Sequence, residues 1–300
     1  MPSSPYTHTI GSKAFQFSDL KDLLAKASPL KSGDCLAGVA AESEAQRVAA
    51  RFLLADLPLA DFLNDTVIPY EEDEVTRLIM DTHDADAFAP LSSMTVGEFR
   101  DWLLAYDTTA KELSRVSPGI TPEMAAAVSK LMRNQDLILT AHKIETISRF
   151  RSTIGLKGHL SSRLQPNHPT DDPKGIVAAI IDGLLNGIGD AVIGINPVTD
   201  DIPGTSELLI LLDDIRRRYH MPVQSCILTH VTNTLAIIEQ KGPVDIVFQS
   251  IAGTEGANTG FGITLALLQE ARDAALSLKR GTIGNQVMYF ETGQGSALSA

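Results

Sequence analysis

Apolar positions in the first half of the chain recur at helical spacing, and in the second half they fall into short runs separated by helical stretches. Tyr6–Phe17 alternates apolar and polar residues around Gly11-Ser12, which predicts a small hairpin. Ser18-Asp19 then offers a cap for a helix to about Ala27, stopped by Pro29. Helical spacing returns over Glu42–Leu54, broken by Pro58, and again after Pro69, where Glu71, Glu72, Asp73 and Glu74 bring negative charge to a first turn. Trp102 lies in an amphipathic stretch from about Thr95, and Thr121-Pro122-Glu123 opens a helix to about Arg133 with proline at its first position.

The rhythm changes near residue 145. Strands are predicted at His159–Gln165, Ala191–Asn196, Gln224–Thr229, Val244–Ile251 and Val287–Glu291, with helices at Gly175–Leu185, Glu207–Arg218, Thr232–Gln240 and Thr259–Leu278 between them. Such alternation means parallel strands joined by crossover helices. The chain therefore reads as α/β, with a mostly helical region 1–145 ahead of a parallel β/α region 146–300. Polar residues gather at the strand ends, as in a (β/α)8 TIM-type barrel, although a doubly wound sheet has the same local pattern. The last strand leads straight to Ser299-Ala300 where a further unit should follow, so an incomplete barrel is expected, with its remaining strands missing.

A net charge of −12 removes the basic footprint that nucleic-acid binding requires. The basic run Arg216-Arg217-Arg218 reads as the polar side of a helix end. Asp182, Asn186 and Asp190 interrupt the longest apolar stretch, Gly175 to Pro197, which argues against a membrane span. Cys35 and Cys226 form no CxxC pair, the start has no secretory pattern, and both facts fit a reducing, cytoplasmic setting. No histidine pairing of the HxH or HExxH kind offers a metal site, and Asp171-Asp172 and Asp200-Asp201 read as turn formers and helix caps.

Chemistry concentrates at four strand ends. Arg163 and Gln165, two apart, share a strand face. Asn196 precedes Pro197 and is biased to extended backbone. Phe248-Gln249-Ser250 leads into a loop with Gly253, Gly256, Gly260 and Gly262, and Glu291 opens onto a Gly/Ser/Ala tail. An arginine, two amides and a carboxylate suit a small molecule carrying an amine and a hydroxyl, and none is an activated nucleophile. The plain alternative for each is a group that satisfies loop backbone, or for Glu291 a solvated turn residue.

In these motifs, and in Ser32–Ala41 and Tyr70–Ile79, the chain resembles the large (heavy) subunit of the ethanolamine ammonia-lyase family. The ordered set runs over most of the chain. The resemblance implies a radical lyase that uses adenosylcobalamin to eliminate ammonia from ethanolamine, leaving acetaldehyde, with the corrin over the mouth of the barrel. It assigns Arg163 and Asn196 to the substrate hydroxyl and Gln165 and Glu291 to the ammonium, with Glu291 and Arg163 the catalytic candidates. Asn196, Pro197, Val198, Phe248, Ser250 and Ser299 fall at or beside positions that face the corrin. A further substrate-binding aspartate of the family has its strand beyond residue 300. The resemblance also implies a small (light) subunit completing the corrin site, self-association of the large subunit, and packaging in a bacterial microcompartment. The rivals are a barrel hydrolase or aldolase using Glu291 as acid or base, and a truncated scaffold subunit without catalysis. The first of these would need a metal or a lysine at a strand end.

Overall fold

A computed structural model describes residues 6–292, and its contacts divide the chain into two compact units meeting between Glu145 and Thr146. The first opens with strands β1 (Tyr6–Ile10) and β2 (Lys13–Phe17), antiparallel around Gly11, whose positive φ of 61° suits the tight turn. Phe15 and Phe17, alternate residues of β2, are buried in the core of this unit with Leu23, Leu54, Phe62, Phe99 and Met124.

Helices supply the rest of the unit, and their ends follow side-chain caps. Asp19 accepts from the Asp22 amide and starts Leu20–Ala27, and Ser43 does the same for Glu44–Asp56 through Gln46. The helix after Pro69 begins later than the acidic run suggests. Asp73 is its cap, so only Glu74 lies in the first turn, while the Glu72 amide closes a turn on the Pro69 carbonyl. Thr95 and Glu98 form a reciprocal capping box at the start of Val96–Leu104. The helix opened by Thr121 and Pro122 ends at Lys130 instead of Arg133. The Asp136 carboxylate accepts from the Arg133 amide and opens a separate helix, Asn134–Lys143.

The second unit begins with two short strands that lack any alternation long enough to read from sequence, β3 (Ser148–Arg149) and β4 (Thr153–Ile154). A five-stranded parallel sheet follows: β5 (Arg163–Leu164), β6 (Val192–Ile195), β7 (Gln224–Ile227), β8 (Ile246–Ser250) and β9 (Met288–Glu291). Its spatial order is the chain order, with no reversal of the kind a doubly wound sheet contains. Asp172 caps the helix Pro173–Leu185 and Asp201 caps Ile202–Arg218, both with proline at the start. His230 caps Val231–Glu239.

The single long helix expected over Thr259–Leu278 is two, Glu255–Gly260 and Leu265–Ser277. Gly262, at φ +74°, turns the chain between them, the Ile263 amide returns to the Asn258 carbonyl, and Ile263 is fully buried. Ile193, Ile195, Ile227 and Val247, on one face of the sheet, pack with Ile180, Leu212 and Ile237 of the helices. Among the described residues, no helix is long and apolar enough to cross a membrane.

Beneath the sheet lies a buried ionic network. Arg151 pairs with Asp245 through both terminal guanidinium nitrogens, and its Nε donates to the Arg280 carbonyl at 3.1 Å. Arg280 bridges Asp245 at 2.6 Å and Asp213 at 2.5 Å. Asp213 also takes hydrogen bonds from Arg216 and Arg217, so the basic run does sit at a helix end, with two of its arginines turned back on an acid of the same helix. Burial opposes the charge on Asp213, but the hydrogen bonds from Arg216, Arg280 and Arg217 outweigh it and hold the carboxyl at about 2.

Candidate active site

Register places the polar strand-end residues on one face of the sheet. Arg163 pairs with Val192, Gly194 with Cys226, Cys226 with Ile246, Phe248 with Tyr289 and Ser250 with Glu291. Because alternate residues share a face, Arg163, Gln165, Gly194, Asn196, Cys226, Phe248, Ser250, Tyr289 and Glu291 all lie opposite the helix-packed side. Arg163 on β5 donates through Nη1 to the Glu291 carboxylate at 2.9 Å and to the Tyr289 hydroxyl at 2.8 Å on β9. In a flat sheet those strands would stand four spacings, about 19 Å, apart. The sheet is therefore curled, with the polar face concave.

The network at its centre has a defined polarity. Arg163 also donates through Nη2 to Asn196 Oδ1 at 3.3 Å. Since a guanidinium has no acceptor, this contact sets the amide orientation and turns Asn196 Nδ2 outward as a donor. Tyr289 donates to Glu291 Oε1 at 2.6 Å, the same oxygen that Arg163 reaches. Glu291 Oε2 accepts no hydrogen bond from a described residue. The Tyr289 ring lies 5.4 Å from the Arg163 guanidinium carbon and meets Phe248 edge-on at 5.7 Å between centroids. Burial, then the hydrogen bond to Glu291, pushes the Tyr289 phenol above its ordinary value, so it stays protonated and able to donate.

Of the residues expected from sequence, Arg163, Asn196 and Glu291 are brought into direct contact. Gln165 shares the face but is exposed and makes no side-chain hydrogen bond with a described residue. Phe248 and Ser250 are half-buried on the strand beside Glu291, and the Ile251 amide donates to the Glu291 carbonyl at 2.9 Å. Pro197 is half-buried and Val198 exposed on the loop after β6. Ser299 lies outside the described residues.

Several supporting residues surround these, among them Asp171, expected as a turn former. Asn167 accepts from the Asn196 amide at 2.8 Å, and Asp171 accepts from the Val198 and Thr199 amides at 2.8 and 3.3 Å, fixing the Asn196–Val198 loop. Gly194 gives the guanidinium its room, since a Cβ there would stand 2.9 Å from Arg163 Nε. That Nε is buried and has no hydrogen-bond partner among the described residues. A glycine inside a strand is the sequence signal for such close approach, and the spacing of Tyr289 from Glu291 is the signal that they share a face. Cys226 lies on the same face, fully buried, and burial raises its thiol to about 12.

Below this network, toward the strand starts, is a cavity of about 270 Å³ lined by Phe150, Ile154, Val192, Gln224, Ile246 and Tyr289 among others. The β3–β4 hairpin forms part of its wall, and Gln224 Oε1 accepts from the Arg151 and Ser152 amides at 3.4 and 3.3 Å. At the opposite, strand-end rim, Gly253, Gly256 and Gly260 each have open space where a Cβ would stand.

Comparison with known proteins agrees with this arrangement of motifs. Residues 15–300 match the Ethanolamine ammonia lyase large subunit (EutB) family. The chain belongs to that family. It is 44% identical over 292 residues to the ethanolamine ammonia-lyase large subunit of Escherichia coli K12, and 43% identical over the same length to that of Salmonella typhimurium LT2. Each alignment covers 97% of this chain and 64% of the relative, so the chain spans about two thirds of the length of these relatives.

Proposed function

We propose that this chain carries the substrate-holding part of an ethanolamine ammonia-lyase large subunit, which eliminates ammonia from ethanolamine to give acetaldehyde. The observation that carries the reading is the contact of Arg163, Asn196 and Glu291 on one concave face, from three strands of a sequentially ordered parallel sheet. A TIM-type (β/α)8 barrel is the natural closure for such a sheet, because curling in chain order continues until the edges meet.

Each group then has a task that its chemistry suits. Arg163 and the outward Nδ2 of Asn196 are donors for the substrate hydroxyl. Glu291, with Oε2 free of described partners, accepts from the ammonium, and Gln165 adds an amide oxygen at the exposed rim. A carboxylate meeting an ammonium gives a charge-assisted bond, about twice as strong as a neutral one. Holding both ends of a two-carbon molecule fixes which carbon–hydrogen bond faces the cofactor.

Support for a corrin at this rim comes from the uncrowded glycine loop after β8 and from the exposed Val198 beside Pro197. Asn196, Pro197, Val198, Phe248 and Ser250 would lie against it, with Ser299 added by family resemblance. When bound, adenosylcobalamin supplies a cobalt–carbon bond that breaks homolytically and so permits hydrogen-atom abstraction from the substrate. The protein's part is to orient the substrate and exclude solvent. A small subunit completing the corrin site, as the family resemblance implies, is part of the proposal. The aldolase rival needs a lysine, and no described strand residue on the concave face is one.

The test is Glu291→Gln in the intact protein, assayed for ammonia release with adenosylcobalamin and the small subunit. The glutamine keeps the shape and loses the charge. Activity as kcat/KM should fall by several orders of magnitude while adenosylcobalamin still binds. A variant within a few-fold of wild type would make Glu291 a solvated turn residue and overturn the reading.

A further inference from the structure

The phenol of Tyr289 is the one group in the network that touches both ionic partners without carrying charge. It accepts from Arg163 Nη1 at 2.8 Å and donates to Glu291 Oε1 at 2.6 Å. Its ring is fixed on two sides, against Phe248 and over the Arg163 guanidinium. The Glu291 side chain, by contrast, is 41% exposed. An ion pair so open to solvent is a weak restraint alone, because screening and side-chain entropy offset most of the Coulomb attraction. A second donor on the same oxygen, from a ring packed against Phe248 and the Arg163 guanidinium, restrains the carboxylate better.

We infer that Tyr289 is a positioning residue, whose hydroxyl, held between Arg163 and Glu291, anchors one carboxylate oxygen so that the other faces the substrate ammonium. This rests on the proposed ammonium role of Glu291 and goes beyond it. Both donors reach Oε1, and neither reaches Oε2. Without the hydroxyl, Oε1 keeps only Arg163, and the carboxylate is free to rotate and offer both oxygens to the guanidinium. That bidentate pairing is the one arginine favours, and it would compete with the substrate for the same carboxylate. Tyr289 thereby keeps the resting ion pair from closing on itself.

Tyr289→Phe removes the hydroxyl and keeps the ring against Phe248. Ethanolamine binding to the intact protein with its small subunit, followed by titration calorimetry, should weaken by about 10- to 100-fold, the range for a hydrogen bond to a charged group. KM should rise with it while kcat changes less. In a Glu291→Gln background the same substitution should have no further effect, because the hydroxyl acts through the carboxylate. Placing 3-fluorotyrosine at 289, which keeps the donor, should restore binding.

An equal loss from Tyr289→Phe in both backgrounds would show a merely structural tyrosine and overturn the inference. So would unchanged binding in Tyr289→Phe where Glu291→Gln alone weakens it, and that outcome leaves the proposed function intact. Unchanged binding in Glu291→Gln would overturn the proposed function, and the tyrosine inference with it.

Discussion

At the scale of single residues, the proposed substrate site rests on which polar atoms of the concave face lack described partners. Arg163 is shared by three acceptors, yet Asn196 Nδ2 and Glu291 Oε2 both remain without described partners. Room for the guanidinium depends on Gly194. Gly194→Ala would bring a methyl group within 2.9 Å of Nε and 3.2 Å of Nη2, and the pinned guanidinium must move. The expected result is a rise in KM of about tenfold, the worth of one misplaced hydrogen bond to a charged group. Thermal unfolding should change little, since Gly194 meets a side chain and not backbone. An unchanged KM would mean that Arg163 adapts without loss. That Arg163 and Gln165 share a strand face is legible from spacing alone. The role of Gly194 is not, because the atom it accommodates comes from the neighbouring strand.

At the scale of elements, caps and positive-φ glycines set the boundaries more firmly than apolar periodicity does. The stretch after β8 illustrates the point. Apolar spacing runs on from Thr259 to Leu278, but Gly262 adopts a conformation that L side chains resist, and Thr264 caps a new helix by accepting from the Leu267 amide. Gly262→Ala should cost about 1 kcal/mol or more through backbone strain. Hydrogen exchange should show faster amides from Ile263 to Leu268, with the β8 amides unaffected. Equal protection in both proteins would show that the turn does not depend on glycine. The short β3–β4 pair escaped the sequence for a related reason, since two residues per strand carry no period.

At the scale of the second unit as a body, five strands in chain order and a buried ionic cluster under them set its response to acid. Folding holds the Asp213 carboxyl at about 2, below its ordinary 3.8, so the folded state releases that proton more readily than the unfolded chain. Its contribution to stability is therefore complete above about pH 4 and disappears as pH falls through 2. Acid unfolding followed by circular dichroism should show this unit losing structure across that window. Asp213→Asn should flatten the dependence there and lower stability at neutral pH, because Arg216 would lose its carboxylate and Arg280 would keep only Asp245. An identical acid profile in the variant would show that other groups set the response.

The sequence by itself determined the helical first region, the five parallel strands, and the residue types gathered at their ends, because strand period, caps and glycines are local properties. It also carried the family, through motifs spread along the chain. What only the tertiary structure decided is the set of pairings. Strand order without reversal, and the curl that brings Arg163 to Glu291, depend on register carried from strand to strand across the sheet, and so does the meeting of Arg163 with Tyr289 on one carboxylate oxygen. Local pattern states which way a side chain faces along its own strand. Which strand lies opposite, and how far the sheet bends to reach it, is settled by packing of helices on the outer face, and that information is distributed over the whole unit.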